Sequence, residues 1–193
     1  LNFQIKGASF SDSDEDNLVV KAVRAFEQVS RIKVNYDIFL EKKIPYGAGL
    51  GGGSGNAAGT LKALNYIFRN STESEGLIHP ESLYEIALKL GSDVPFFLKP
   101  GPAEIRGRGE KIRDLPDYPK FNILIIKPSF AISTFEAYQN CIPKMEINFP
   151  SIRSFDDLSS QMHNQFESSL LVQYPTLSKL KTLLLENGAF GAL

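Results

Sequence analysis

The chain has 193 residues, of which 42% are hydrophobic, and its formal net charge is −1. This length allows one large domain or two small ones, and the balanced charge excludes a long-range basic field that would attract nucleic acid or an acidic membrane. A single cysteine excludes an internal disulfide, and two histidines far apart in the sequence form no metal motif. We find no signal peptide and no apolar run of about 18 residues, so we expect a cytoplasmic protein without a membrane span.

The N-terminal third of the sequence predicts a strand, a helix and a second strand. Alternating apolar residues indicate strands over residues 1–8 and 34–41. A helix over residues 17–30 is indicated by an apolar stripe made of Leu18, Ala22, Val23, Phe26 and Val29. Asp14 or Asp16, in the acidic run before this helix, is expected to accept its first N–H groups.

The most informative segment is rich in glycine. Seven of the fifteen glycines fall between Gly47 and Gly59, and apolar residues at helical spacing predict a helix over residues 56–69. A glycine loop that leads into a helix N-terminus can present several backbone N–H groups to an anion, and phosphate is the obvious one. A flexible linker is the alternative, but the flanking strand and helix disfavour it. The spacing of a P-loop or of a dinucleotide-binding motif is absent.

The next elements complete the first predicted domain. Pro80 is expected to begin a helix that continues over residues 81–90 and ends at Gly91. Residues 103–106 and 111–115 flank an Arg-Gly-Arg-Gly turn and are predicted to form a β-hairpin. Two prolines within residues 116–119 indicate a boundary, which gives domains over residues 1–116 and 117–193.

The second predicted domain mixes strand and helix. We expect a strand over residues 121–126, a short helix over 134–140, a loop or strand over 143–154, and one or two helices over 166–187. Strands and helices without regular alternation favour an α+β fold.

Four motifs in one order resemble those of the GHMP kinase family. Pro45 is followed by Gly49-Leu50-Gly51 and a cluster of small residues at 52–58, as in the glycine-rich motif of that family. EDNLVVKA at residues 15–22, GSDVPFF at 91–97 and RGRGE at 106–110 are similar to the branch whose members phosphorylate a cytidine-diphosphate-linked methylerythritol. The resemblance implies the GHMP kinase fold, with a ribosomal-S5-like ATP-binding domain that lacks its first strands and an incomplete ferredoxin-like second domain.

The function implied by the resemblance is transfer of a phosphoryl group from ATP, with Mg²⁺, to the 2-hydroxyl of that small-molecule substrate in isoprenoid-precursor synthesis. The implied partners are small molecules, with no nucleic acid or membrane, and the implied state is a monomer or weak homodimer. Two alternatives stay open, namely another GHMP small-molecule kinase and a nucleotide-binding module without catalysis.

The resemblance also implies site residues. Asp93 would orient and deprotonate the acceptor hydroxyl, and Tyr138 would stack on the cytosine, while the metal ligands stay unassigned. Nucleotide binding is implied for Asn17, Leu18, Lys42, Pro45, Gly47, Gly49, Leu50, Gly51, Gly52, Gly53, Ser54 and Gly55. Position 55 departs from the family pattern, in which a second serine commonly stands.

Each of these side chains also has a purely structural interpretation. Asp93 would then close a turn, Ser54 and Asn17 would cap helices, and Lys42 would be a solvated charge. Tyr138 would pack in a core. Arg106 and Arg108, which could approach phosphates from their turn, would be ordinary exposed hairpin residues.

The resemblance predicts that the chain is a fragment. It implies a preceding strand with a lysine and an asparagine, a loop with a histidine, and a later glycine-rich loop, and none of these is found between Leu1 and Leu193. Whether the piece alone is active stays open, because loss of a positioned cation reduces the rate of phosphoryl transfer.

Overall fold

The computed structural model describes residues 1–7, 14–45, 47–69, 78–99, 101–115, 120–142 and 155–193. It divides the chain into two compact units, Leu1–Pro116 and Asp117–Leu193, and each is described by itself. The loop or strand predicted for residues 143–154 lies outside the described residues.

Three helices form the core of the first unit: α1 (Leu18–Ser30), α2 (Gly52–Arg69) and α3 (Pro80–Leu90). Their apolar stripes pack against one another as predicted, with Leu18, Phe68 and Leu90 only partly buried and Val29 exposed. Phe26 of α1 is fully buried, and its ring lies 5.8 Å from that of Phe68 of α2. Burial of these stripes stabilises the helices more than their intrinsic propensity does.

Two short strands, β1 (Asn2–Lys6) and β2 (Asp37–Glu41), pair in parallel. Phe3 lies opposite Ile38, and Ile5 lies opposite Leu40, so the half-buried side chains of both strands share one face. The second strand begins three residues later than predicted, because residues 34–36 have no partner strand in the described part of the unit. The backbone N–H of Lys42 donates to the Lys6 carbonyl at 2.8 Å and extends the pairing by one bond.

The start of α1 corrects one prediction. The Asn17 side chain, and not Asp14 or Asp16, caps the helix, because its Oδ1 accepts the Val19 N–H at 3.0 Å. Asp14–Asp16 form a single 3₁₀ turn in front of the cap. Asp16 instead accepts a hydrogen bond from Lys21 on the surface of α1.

The start of α2 also differs from its prediction. The helix begins at Gly52, four residues earlier than expected, so part of the glycine run is helical. Periodicity could not reveal this turn, because its glycines carry no side chains to form a stripe. A Cβ built on Gly52 would lie 3.1 Å from the Ile44 side chain, so the first turn packs close to the preceding segment.

The last elements of the first unit follow the predictions. Pro80 is the first residue of α3, and Gly91 ends the helix. A 3₁₀ turn, Pro95–Leu98, follows. The hairpin consists of β3 (Ala103–Arg106) and β4 (Lys111–Asp114), which pair antiparallel around the Arg-Gly-Arg-Gly turn.

Four helices are described in the second unit: α4 (Thr134–Gln139), α5 (Phe155–Gln161), α6 (Glu167–Gln173) and α7 (Pro175–Glu186). The prediction of α4 is confirmed, and the one or two helices predicted over residues 166–187 are two, α6 and α7, whereas α5 was not predicted. Lys181 of α7 donates to both carboxylate oxygens of Glu167 of α6, at 2.6 and 2.7 Å.

The prediction of a strand over residues 121–126 is wrong. No strand forms there, and Ile123 and Leu124 are 80% and 71% exposed. The sequence has the apolar character of a strand, but a strand also needs hydrogen-bonding partners. The described residues of the second unit contain no other strand to provide them.

Candidate active site

The glycine loop occupies residues 47–51, directly before α2. Gly47, Gly49 and Gly51 have φ angles of 66°, 69° and 64°, which lie in the left-handed region that favours glycine. An anion-binding nest forms where right- and left-handed residues alternate, because successive N–H groups then point to one side. Left-handed glycines at every second position of the loop fit this pattern. The loop is largely exposed, so a ligand has access to it.

The first turn of α2 continues this surface of N–H groups. Gly55 is the first residue whose N–H bonds back, to the Gly51 carbonyl at 2.8 Å. The N–H groups of Gly52, Gly53 and Ser54 therefore belong to the helical turn that lacks carbonyl partners within the helix. The positive end of the helix dipole lies at the same place and favours an anion.

The position of Ser54 excludes its purely structural interpretation as a helix cap. Because α2 begins at Gly52, Ser54 is the third residue of the helix and does not occupy the N-cap position. Its hydroxyl lies in the first turn, where it is a candidate ligand for a phosphate oxygen or a metal ion. A Cβ at Gly55 would meet the Phe97 ring at 3.6 Å, which is an ordinary contact, so a serine at this position would start without a steric conflict.

Phe97 joins the glycine loop to the segment that contains Asp93. A Cβ on Gly51 would lie 2.7 Å from the Phe97 ring, so the ring occupies the space that a side chain at position 51 would need. The same ring contacts Gly55 one turn further along α2. This aromatic residue was not predicted as part of the site, because no sequence pattern reveals a contact between a loop and a distant turn.

Asp93 itself is exposed at the end of α3, between firmly held neighbours. The Val94 N–H donates to the Gly91 carbonyl at 3.2 Å, and Val94 and Pro95 are buried. Within the described part of the chain, the Asp93 carboxylate has no recorded hydrogen bond or ion pair, and the 3₁₀ turn after Val94 lacks a side-chain cap. The carboxylate is therefore accessible on a fixed backbone.

Leu18, Asn17 and Lys42 differ in their relation to the loop. The Leu18 Cδ1 atom would lie 3.5 Å from a Cβ on Gly53, so the start of α1 contacts the first turn of α2. Asn17 is 8% exposed, and its Oδ1 is engaged in the helix cap. Lys42 lies at the end of β2, two residues before Ile44, which packs on Gly52, and Pro45 is exposed between Ile44 and the loop.

The hairpin arginines have different surroundings. Arg106 and Arg113 both pair with Glu104, whose side chain is 9% exposed. The hydrogen bond from Arg106 lowers the pKa of Glu104, burial opposes this effect, and Arg113 adds to it. Arg106 is thus an ion-pair residue, and Arg108 lies in the exposed turn.

Tyr138 lies in α4 of the second unit. Its ring packs edge to face on Phe166, with the centroids 5.1 Å apart, and the residue is 67% exposed. It is therefore not a core residue, and most of it is accessible to a ligand.

The described residues contain no group of three or more histidine, cysteine, aspartate or glutamate side chains that could hold a metal ion. A nucleotide-bound Mg²⁺ ion needs fewer protein ligands, because phosphates and water supply most of its coordination. The Ser54 hydroxyl and the Asp93 carboxylate are oxygen donors of the required type. Among the helices of the described residues, none has the length and apolar character needed to cross a membrane.

Comparisons with known proteins extend these observations. Residues 17–101 match the family described as GHMP kinases N terminal domain. The 4-diphosphocytidyl-2-C-methyl-D-erythritol kinase of Chlorobium chlorochromatii is 37% identical over 93% of this chain and 64% of its own length, and that of Syntrophus aciditrophicus is 39% identical over 95% and 66%. The chain thus spans slightly under two thirds of the length of these curated relatives.

Two further similarities cover most of the chain. The enzyme of the same name from Pelotomaculum thermopropionicum is 34% identical over the whole chain and 68% of its own length. A crystal structure of 4-(cytidine 5'-diphospho)-2C-methyl-D-erythritol kinase superimposes with a TM-score of 0.68 and 26% identity, covering 94% of this chain and 64% of that one. These findings confirm the α+β GHMP kinase fold, and the chain belongs to the 4-diphosphocytidyl-2-C-methyl-D-erythritol kinase family.

Proposed function

We propose that the chain carries the phosphoryl-transfer site of an ATP-dependent kinase. Its substrate would be 4-diphosphocytidyl-2-C-methyl-D-erythritol, phosphorylated on the 2-hydroxyl for isoprenoid-precursor synthesis. The observation that carries this proposal is the contact of Phe97 with Gly51 and Gly55, because it joins the Asp93 segment to a loop suited to phosphate. The names of the relatives support the choice of substrate.

The glycine loop would bind the phosphates of ATP. The N–H groups of residues 47–54 and the helix dipole would stabilise the negative charge on the β- and γ-phosphates. Leu18 would line the nucleotide site, and Asn17 and Lys42 would border the base. A bound Mg²⁺ ion would neutralise further charge on the phosphates, with the Ser54 hydroxyl as a candidate protein ligand.

Asp93 would act on the acceptor. Its carboxylate would accept a hydrogen bond from the 2-hydroxyl and take the proton as that oxygen attacks the γ-phosphorus. The bond between the γ-phosphorus and the β,γ-bridging oxygen breaks, and ADP leaves. Tyr138 would stack on the cytosine, a contact that contributes about 1–3 kcal/mol in comparable sites.

The test is a coupled assay of ADP release by the full-length gene product with ATP, Mg²⁺ and the cytidyl substrate. Asp93→Asn keeps the size of the side chain but removes the base, so we expect kcat to fall by about 10²- to 10⁴-fold. ATP affinity, measured by calorimetry, should be unchanged. The control is Asp114→Asn, an exposed aspartate on the hairpin that pairs with Lys99 at 3.5 Å and should keep full activity.

Two results would contradict the proposal. If wild-type protein binds ATP but does not release ADP with the cytidyl substrate, another acceptor or a nucleotide-binding module is favoured, and a screen of alcohol acceptors separates these two. If Asp93→Asn retains the wild-type kcat, Asp93 is not the base.

A further inference from the structure

The turn of the β3–β4 hairpin packs directly on the backbone beside Asp93. Gly109, in this turn, is buried and has a φ of 109°. A Cβ at Gly109 would overlap the Ser92 carbonyl oxygen and lie 2.8 Å from the Ser92 carbonyl carbon. Only a glycine permits this approach, so the hairpin turn supports the peptide that immediately precedes Asp93.

A single side chain of α3 holds the turn in this position. The Tyr84 hydroxyl donates to the Glu110 carbonyl at 2.7 Å, and the Gly109 carbonyl lies 3.4 Å from the same hydroxyl. Tyr84 is half-buried, so part of its side chain is packed against its surroundings as well. The segment 91–94 is thus restrained in two ways. It continues directly from α3, and its Ser92 backbone contacts a turn that is itself hydrogen-bonded to Tyr84 of α3.

The turn is also braced internally. The Glu110 carboxylate folds back and accepts the Arg108 N–H at 2.5 Å. Hydrogen bonds from its own N–H and from that of Arg108 lower the pKa of Glu110, so the brace is a charged one. These bonds restrain the turn, so we expect a displacement of its contact with Tyr84 to be transmitted to Ser92.

We propose that Tyr84 is a positioning residue for Asp93, acting through the 106–110 turn that its hydroxyl ties against the Ser92 backbone. This inference rests on the proposed function, because it concerns the carboxylate that would take the proton. Small errors in the position of a reacting group reduce the rate of a chemical step, so the role should appear in kcat. Tyr84 lies outside the glycine loop and should not affect nucleotide binding.

The first test compares Tyr84→Phe with Tyr36→Phe in the full-length gene product. Tyr84→Phe removes only the hydroxyl, and we expect kcat to fall about tenfold while KM for ATP stays within about twofold. Tyr36→Phe keeps the edge-to-face contact with Phe68 and should leave kcat unchanged. Hydrogen exchange of the Val94 amide, which bonds to Gly91, should become about fivefold faster in Tyr84→Phe alone.

A second pair of variants tests the contact of the turn with Ser92. Gly109→Ala and Gly101→Ala both place a Cβ at a φ near 110°, but no atom of the described residues lies within 4 Å of the Cβ at Gly101. The two positions share nearly the same φ, 109° and 110°, so a difference between the variants reports mainly the contact of Gly109 with Ser92. We expect Gly109→Ala to lower kcat at least as much as Tyr84→Phe does, and Gly101→Ala to retain the wild-type kcat.

The outcomes are distinct. A lower kcat with unchanged KM for ATP in Tyr84→Phe and Gly109→Ala, but not in their controls, supports the inference. Faster exchange in Tyr84→Phe with an unchanged kcat would overturn it and make the tyrosine a structural residue only. Active wild-type protein with an unaffected Tyr84→Phe variant would refute this inference but not the proposed function, whereas inactive wild-type protein would refute both.

Discussion

At the scale of single residues, the site depends on where side chains are absent as much as on where they are present. Gly49 and Gly51 have nearly the same φ, 69° and 64°, but different surroundings. In the described part of the chain, no atom lies within 4 Å of a Cβ at Gly49, whereas a Cβ at Gly51 would lie 2.7 Å from the Phe97 ring. At Gly49 the positive φ alone favours glycine, whereas at Gly51 the contact with Phe97 is a second reason for it.

Alanine at each of these glycines should give different results. We expect both substitutions to lose about 1–2 kcal/mol in the loop conformation, because a Cβ is disfavoured at this φ. Gly51→Ala should lower both the free energy of unfolding and the affinity for ATP more than Gly49→Ala does, because Phe97 must also move. Urea unfolding and calorimetry measure the two quantities. Equal effects in the two variants would show that the Phe97 contact is unimportant.

Some site residues were accessible from the sequence, and others were not. The glycine loop and Asp93 lie in short local motifs, and such motifs can be recognised in a sequence before the fold is known. Phe97 and Tyr84 act through contacts with residues far away in the chain, and such contacts leave no periodicity. The capping role of Asn17 was recognised as an alternative, but which side chain caps α1 was decided by the local turn at Asp14–Asp16.

At the scale of elements, the hairpin gives a pH-dependent contribution to stability. Glu104 pairs with Arg106 on its own strand and with Arg113 directly across on β4. Because these bonds lower the pKa of Glu104 in the folded state, folding favours the ionised carboxylate. This stabilisation is fully present above the pKa of the unfolded chain and is lost as the pH falls through the lower pKa of the folded state.

Substitution of Glu104 should therefore matter mainly near neutral pH. We expect Glu104→Gln to lower the unfolding free energy above about pH 5, and the difference from wild type to shrink as the pH falls below about 4. Urea titrations between these pH values measure it. Glu85→Gln, at an exposed position on α3, is the control and should show a flat, small difference. A difference for Glu104→Gln that does not change with pH would contradict the ion-pair explanation.

Element prediction succeeded where one face of a helix is apolar and failed where structure depends on a partner. The helices α1 and α3 and the hairpin follow from spacing, a proline and turn residues. The segment 121–126 has the composition of a strand but forms none in the described structure. The first turn of α2 is rich in glycine, which has a low helix propensity. The first outcome depends on strand pairing and the second on packing, and neither can be read from local sequence.

At the scale of the whole molecule, burial is distributed unequally between the two units. Among the described residues, nearly all fully buried apolar side chains belong to the first unit, and Ala137 is the buried apolar residue of the second. Ile123, Ile142 and Val172 of the second unit are about 80% exposed. Because buried apolar area is the main source of stability, the first unit should resist local opening more strongly.

Native-state hydrogen exchange of the 193-residue chain should reveal this difference. We expect amides of α1, α2 and α3 to exchange only when the first unit unfolds as a whole. Amides of α6 and α7 should exchange faster, through local opening, because little apolar surface is buried on them. Equal protection in both units would mean that the second unit is stabilised by contacts beyond those of the described residues.

The contact between Gly51 and Phe97 also constrains how the sequence can diverge. A larger residue at position 51 requires a smaller one at position 97, and even then the left-handed backbone at 51 disfavours a Cβ. A small residue at 97, in turn, would leave the space beside Gly51 and Gly55 unfilled. In an alignment of homologues, these two positions are therefore expected to change together or not at all, although they lie in different motifs.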